Sequence, residues 1–167
     1  MEQVSTEQQT AMAQSMGVGF FIFFAALMVF FIIVQWRIFT KANQPGWSCL
    51  IPIYSAIIYF KIIGRSAARL LVYLGFGILY GMGAYFLIKQ NAMGGLLAFI
   101  GIAGLITFSI IDTNRLSKSF GQGAGFTVGL ILLGIVFYPL LAFGNYQYIG
   151  PNGDGPNPNT DPEILHA

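Results

Sequence analysis

The sequence predicts an all-α integral membrane protein: a polytopic helical bundle with four transmembrane helices and one short interfacial or re-entrant segment. The chain is 56% hydrophobic and only 8% charged, whereas soluble domains carry about 25% charged residues. These few ionic groups cannot cover a surface that faces water. Lipid is therefore expected to surround most of the chain. Four apolar windows without an internal charge also approach the roughly 20 residues that a helix needs to cross a bilayer.

The four windows run over 17–36, 70–88, 93–111 and 126–148, within a transmembrane domain over 17–148. The first holds six phenylalanines and is apolar around its whole circumference, as expected of a helix that faces lipid. It is long for the core of a secretory signal and no cation precedes it, so we expect a retained spanning helix. The third is rich in glycine, which is common where membrane helices pack closely.

The connection between the first two windows contains a shorter apolar run, 50–60, after the turn signal Pro45-Gly46. Eleven residues are too few to span a bilayer. Pro52 fits the first turn of a helix, and the neighbouring Trp and Tyr side chains suit the depth of the lipid headgroups. The run is therefore predicted to be interfacial or re-entrant, not a fifth crossing.

Four crossings place seven of the eight Lys and Arg residues on one side of the membrane, and only Lys89 on the other. The positive-inside bias then puts both termini on the non-cytoplasmic side of a bacterial inner membrane. The polar tail 1–16 and the Pro- and Asn-rich tail 151–167 would both lie outside. The second tail has too little apolar surface to fold alone, so it is expected to be disordered unless a partner holds it.

One candidate site lies at the cytoplasmic end of the third span. Asp112 and Arg115 are three residues apart, a spacing that brings two side chains together on one helical face. This favours an interfacial ion pair that closes the helix end. The alternative is a gate or an ion site.

A second candidate site is basic. Lys61, Arg65 and Arg69 recur every four residues and would form a stripe in one continuous helix, where like charges repel. Anionic lipid headgroups of the cytoplasmic leaflet would more than offset this repulsion. An acidic partner surface is the alternative, and a helix break at Gly64 would disrupt the stripe.

Two features of the spans concern packing. Gly77 and Gly81 have the small-xxx-small spacing that lets two helix backbones approach closely. Packing within the chain is the favoured interpretation, and homodimerisation is the alternative. Pro139, late in the fourth window, is expected to kink or end its helix.

Patterns for catalysis are weak. His166 is the only histidine and Cys49 the only cysteine, so a non-catalytic protein without a cofactor or a metal site is expected. A membrane-bound enzyme would need Ser55, Lys61 or Asp112 to converge on a cleft. The formal charge of +2 is too dispersed for a nucleic-acid interface, so no nucleic acid is expected as a partner.

Two blocks of sequence resemble the signatures of a family of small bacterial membrane proteins catalogued only as a domain of unknown function. The first block is FTKANQPGWSCLIPIY at 39–54 with KIIGR at 61–65, and the second is SKSFG at 117–121, GLILL at 129–133 and FYPLLAFG at 137–144. The family usually has Asn where this chain has Ser55. Some relatives carry this domain ahead of a signal peptidase. The resemblance implies a bacterial inner-membrane helical bundle and lends no catalytic residue.

These observations favour a non-catalytic accessory or scaffolding subunit of a bacterial cytoplasmic-membrane complex, with lipid and other membrane subunits as partners. The absence of charges inside the windows argues against an ion-coupled carrier. A small channel or carrier for a small solute is the second hypothesis. The Gly-rich helices and Pro139 favour it. A membrane-bound enzyme is the third.

Overall fold

The computed structural model describes residues 6–154, with side chains from residue 17 onward, and this part of the chain is helical without any strand. The predicted all-α class is therefore confirmed. In the described range, the α-helices are α1 (Thr6–Lys41), α2 (Pro52–Ile62), α3 (Arg69–Ile88), α4 (Ala92–Ser119), α5 (Ala124–Leu132) and α6 (Gly134–Phe143), with 3-10 turns at Gly46–Leu50 and Pro151–Gly153.

Three of the helical segments are long and apolar enough to cross a membrane: Gly17–Lys41, Arg69–Ile88 and Ala92–Ser119. They correspond to the first three predicted windows but extend beyond them. Helix α1 already begins at Thr6, inside the region predicted to be a polar tail. Helix α4 runs eight residues past the predicted end at 111, to Ser119. The additional helical residues include charged ones, and these form the site described below.

The fourth predicted span, 126–148, is not one helix. The chain breaks at Leu133, where φ is −125° and ψ is 43°, between α5 and α6. The rings of Phe126 and Tyr146 lie 5.3 Å apart, whereas one continuous helix would separate these positions by about 30 Å. Helices α5 and α6 therefore form a hairpin that returns to the end of the bundle where it began. Helix α5 packs on α4, and α6 packs on α1.

The segment after α1 also turns back. Cys49 Sγ lies 3.8 Å from the carbonyl oxygen of Ile32, a position about 14 Å before the end of α1. Gln35 then donates a hydrogen bond to Ser55 Oγ at 3.3 Å. Pro52 occupies the first turn of α2, as predicted. The 3-10 turn and α2 therefore run beside the last part of α1 and do not leave it for the opposite end of the bundle.

The end of the described chain is fastened at the place where α4 ends. The backbone N–H of Ile149 donates to the Ser119 carbonyl at 2.9 Å, and that of Asn152 donates to Ser119 Oγ at 2.9 Å. The Tyr148 hydroxyl donates to the Ile62 carbonyl at 2.9 Å, and burial raises the pKa of this hydroxyl, so it stays protonated. The four-span prediction puts residue 148 at the end opposite residue 119, and the structure corrects this. Residues 155–167 of the predicted disordered tail lie outside the described part.

The buried core occupies only the half of the bundle in which α1 and α4 end. Its apolar members come from α1, α2, α4, α6 and the adjoining turns: Val34, Ile38, Phe39, Ile58, Phe60, Ile62, Ile63, Leu116, Phe120 and Leu141. In the other half, large apolar side chains such as Phe21, Ile78 and Phe99 are exposed by 62% or more. Such surfaces require lipid or protein around them.

Candidate functional site

A buried carboxylate lies at the centre of the charged end of the bundle. Asp112 is 1% exposed and accepts hydrogen bonds from Arg69 Nη2 at 3.2 Å, Arg69 Nε at 3.4 Å and the Tyr73 hydroxyl at 2.8 Å. Because α4 continues to Ser119, Asp112 lies about 10 Å inside the helix and not at its end. Asp112 is therefore a buried charge within α4, one residue beyond the charge-free window 93–111.

The packing of α3 against α4 brings these groups together. Arg69 and Tyr73 are four residues apart and share one face of α3. The α3–α4 turn is short, and Asn91 caps α4 by accepting a hydrogen bond from the Met93 N–H at 3.0 Å. A Cβ atom at Gly101 would lie only 2.6 Å from the backbone nitrogen of Tyr80, so the helices approach as closely as glycine permits.

The predicted Asp112–Arg115 pair is not formed. Asp112 instead forms ion pairs across the α3–α4 interface, with Arg69 at 3.2 Å and with Arg65 Nε at 3.9 Å. The face of α4 that carries Asp112 is covered by α3, so the partners of the carboxylate come from the neighbouring helix and the turn before it.

The predicted basic stripe is also divided. Helix α2 ends at Ile62, Gly64 has a φ of +70°, and α3 begins only at Arg69, so the three cations do not share one helix. Lys61 is exposed, whereas the Arg69 side chain is 14% exposed and its guanidinium lies 4.3 Å from the centre of the Phe108 ring. Arg69 therefore faces the protein interior and not lipid headgroups.

The charges around Asp112 do not balance. Arg65 and Arg69 both pair with Asp112, and Arg115 follows one turn later on α4. Burial lowers the pKa of Arg65, and the neighbouring Arg115 and Arg69 lower it further, against the opposing effect of Asp112. Arg65 Nε is buried and has no hydrogen-bond partner among the described residues. The site therefore has an excess of positive charge.

Another cation, Lys41, has a structural role that the sequence does not indicate. Lys41 Nζ, at the end of α1, donates to the carbonyl oxygens of Leu141 at 2.8 Å and Gly144 at 2.6 Å. A cation at the C-terminus of a helix satisfies free carbonyls and interacts favourably with the helix dipole. Lys41 thereby caps α6 and ties the hairpin to α1. The partners are about a hundred positions apart in sequence, so no local pattern could have shown this contact.

A cavity of about 310 Å³ lies between α1, α2, α4 and α6. Its walls are mostly apolar, with the Gln35 amide and two tyrosine hydroxyls as polar groups; they comprise Phe31, Val34, Gln35, Ile38, Phe39, Tyr59, Leu116 and Tyr138. Such a lining suits binding of a small apolar molecule more than chemistry on it.

The glycines that mediate helix packing differ from the predicted pair. A Cβ atom at Gly77 or Gly81 would meet nothing within 4 Å. Among the described residues, close contacts between α3 and α4 occur instead at Gly83, Gly94, Gly101 and Gly104. The favoured interpretation of intramolecular packing is therefore wrong for Gly77 and Gly81, which lie on an open face of α3.

The residues named for a possible enzyme do not bond to one another in the part of the chain that the structure describes. Ser55 accepts a hydrogen bond from Gln35, Asp112 binds Arg69 and Tyr73, and the Lys61 side chain forms no hydrogen bond with residues 17–154. The same residues contain no group of three or more His, Cys, Asp or Glu placed to hold a metal ion.

Comparison with known proteins gives one match. No curated protein and no solved structure matches the chain. Residues 47–151 match the model of a family described as "Family of unknown function (DUF5684)". The matched region begins in the 3-10 turn after α1 and ends at Pro151, so it contains Arg65, Asp112 and the α5–α6 hairpin. Because the match covers more than half of the chain, this protein belongs to that family of unknown function.

Proposed function

We propose that this protein is a non-catalytic accessory or scaffolding subunit of a protein complex in a bacterial cytoplasmic membrane. The observation that carries the proposal is the break between α5 and α6. At this break, Leu132 is 74% exposed, Leu133 54% and Ile135 60%.

The break lies at membrane depth. Leu130 and Ile131, just before it, line a pocket with Leu105 and Ile106 of α4, about 20 Å from the end of that helix. Pro139 has no N–H, so the Ile135 carbonyl lacks its usual helical donor. Irregular backbone is tolerated in the hydrocarbon region only where protein covers it or water reaches it. The apolar side chains at the tip disfavour water, so we infer that another subunit covers the tip.

The same proposal includes a threading with three crossings, by α1, α3 and α4. The basic end of the bundle would face the cytoplasm, by the positive-inside bias. Residues 145–154 would then also be cytoplasmic, on the side opposite the start of α1. This replaces the expectation that both termini share the non-cytoplasmic side.

Photo-crosslinking in native membranes tests the proposal. A photoreactive amino acid at Leu133 is expected to capture a different membrane protein. The matched control is Leu71 on α3, which is 68% exposed and should capture lipid. Capture of lipid alone at Leu133 would refute the proposal, and capture of only a second copy of this chain would refute a heteromeric complex.

A small channel or carrier is the second candidate. Two observations together favour it. Asp112 is a buried, charged group, and two segments, the one after α1 and the α5–α6 hairpin, begin and end at the same end of the bundle. Ionisable groups within spans often mark ion or solute pathways. Vesicles reconstituted with the purified protein should then show solute flux that Asp112→Asn reduces. Equal flux in both preparations, or none, would remove this candidate.

A further inference from the structure

We propose that Arg65 and Arg115 form a binding site for a phosphate-bearing anion, with the headgroup of an anionic phospholipid as its source. The site lies at the basic end of the bundle, beside the Asp112 cluster. It goes beyond the proposed assembly role and rests only on the proposed threading, which puts this end of the bundle at the cytoplasmic headgroup layer.

The first argument is that Asp112, the only acid of the cluster among the described residues, is already occupied. Asp112 Oδ2 accepts from Tyr73 and Arg69 Nε, and Oδ1 accepts from Arg69 Nη2. Arg69 thus neutralises Asp112. Arg65 approaches Oδ1 only to 3.9 Å, without a hydrogen bond. The other acid with a described side chain, Asp154, is exposed and forms no ion pair within residues 17–154. Arg65 therefore has only this long ion pair, to a carboxylate already bonded to Arg69, and Arg115 forms no ion pair among the described residues.

The second argument is the fixed position of Arg65. Its backbone N–H donates to the Phe60 carbonyl at 2.7 Å. The preceding Gly64 has a φ of +70°, and a Cβ atom there would lie 2.8 Å from Pro151 Cβ, so the turn is packed against the C-terminal segment. Because its backbone is fixed, Arg65 has less conformational freedom to lose when its guanidinium binds an anion.

The third argument is accessibility. The Arg65 side chain is 31% exposed, and Arg115 is partly exposed, so a ligand can reach both while part of each cation is shielded from water. Arg65 approaches Asp112 to 3.9 Å, and Arg115 follows Asp112 by one turn of α4, so the two cations lie at the same place and repel each other. This repulsion contributes to the lowered pKa of Arg65. A bound anion removes this repulsion. The planar guanidinium fork matches the oxygens of a phosphate group.

The location indicates which phosphate is bound. The surrounding surface carries Lys61 and Lys118, both exposed, as expected at the cytoplasmic headgroup layer. Phosphatidylglycerol is an anionic lipid whose headgroup carries such a phosphate, so it serves as the probe. Free inorganic phosphate has the same chemistry and is the other possible source.

The test uses the purified full-length protein in a neutral detergent. Its thermal unfolding and its native mass spectrum are measured with phosphatidylglycerol, with phosphatidylcholine and with inorganic phosphate. Phosphatidylglycerol should raise the unfolding temperature and remain bound, and the double variant R65Q/R115Q should weaken this binding by about tenfold or more, because charge-assisted hydrogen bonds are lost. Inorganic phosphate producing the same Arg-dependent shift would support the site and assign it to a free anion.

The matched control is K61Q/K118Q, which removes two exposed charges at the same end of the bundle. It should retain most of the binding. Equal losses in the two double variants would show diffuse surface attraction and overturn the proposal, as would no preference over phosphatidylcholine. If R65Q/R115Q does not fold, R115Q alone is compared with K118Q, and equal binding by these two single variants would overturn the proposal as well.

Discussion

The ring of Phe126, at the start of α5, lies 5.3 Å from the ring of Tyr146, just beyond the end of α6. The ring of Phe137 lies 5.2 Å from the same Phe126 ring and closes the hairpin from within. A segment whose two ends touch does not form a single span, so this contact supports the proposed threading with three crossings. Three helices are long and apolar enough to make these crossings.

The threading predicts which positions can be labelled from which side. In a background where Cys49 is replaced by Ala, cysteines at Ala124 and Gln147 should both react with a membrane-impermeant reagent only after the cytoplasmic face is opened. A cysteine at Lys89 should react from the outside in intact cells. Labelling of the cysteine at position 147 from the outside would contradict this threading. It would favour four crossings and exclude a hairpin within the membrane.

Hydropathy alone predicted the three long helices because each is a continuous apolar run of sufficient length. It failed at 126–148, since two short apolar helices in a hairpin have the same composition as one long helix. Pro139 pointed to an irregularity, but the break lies earlier, at Leu133 and before Gly134. The contacts that close the hairpin are long-range, and a single sequence does not show them.

The buried ion pair predicts a large loss of stability on neutralising Asp112. Asp112→Asn removes the charge that compensates the buried Arg69 and should cost about 3 to 5 kcal/mol of unfolding free energy. The measurement is denaturant unfolding in mixed micelles, with the exposed Asp154→Asn as the control. A loss below about 1 kcal/mol would mean that Arg69 reaches solvent.

The same site shows what spacing can and cannot predict. The sequence indicates Asp112 as a charge near a span, and the three-residue spacing suggests Arg115 as its partner. In the folded chain, α3 covers the Asp112 face of α4, so Arg69 takes this role from 43 positions away. Local spacing gives the pairs that are possible within one helix, and packing between helices decides which pair forms.

The cap on α6 predicts that Lys41 holds the hairpin in place. Lys41→Met keeps the aliphatic stem but leaves the Leu141 and Gly144 carbonyls without this donor. We expect faster hydrogen exchange in residues 137–147 and a loss of about 1 to 3 kcal/mol. Lys61→Met, which removes an exposed lysine without such bonds, should leave this exchange unchanged. Equal exchange in both variants would show that α6 is held by its packing alone.

The glycines of α3 and α4 predict opposite effects for one added methyl group. Gly101→Ala would push a Cβ atom against the backbone of Tyr80 and force the two helices apart, at a cost of about 1 to 3 kcal/mol. Gly77→Ala meets open space and improves helix propensity, so it should be neutral or stabilising by up to about 1 kcal/mol. Thermal unfolding of each variant in detergent, where the chain is free of other subunits, measures these differences.

A larger substitution at Gly77 connects this open face to the proposed assembly. If the partner subunit packs against Gly77 and Gly81, Gly77→Leu should leave unfolding of the isolated chain unchanged and yet reduce the amount of partner that co-purifies in mild detergent. Gly125→Leu, at a glycine that also meets open space but lies in the first turn of α5, is the control. Undiminished co-purification of the Gly77→Leu variant would show that this face of α3 is covered by lipid, because a bulky side chain would prevent close contact between two helix backbones.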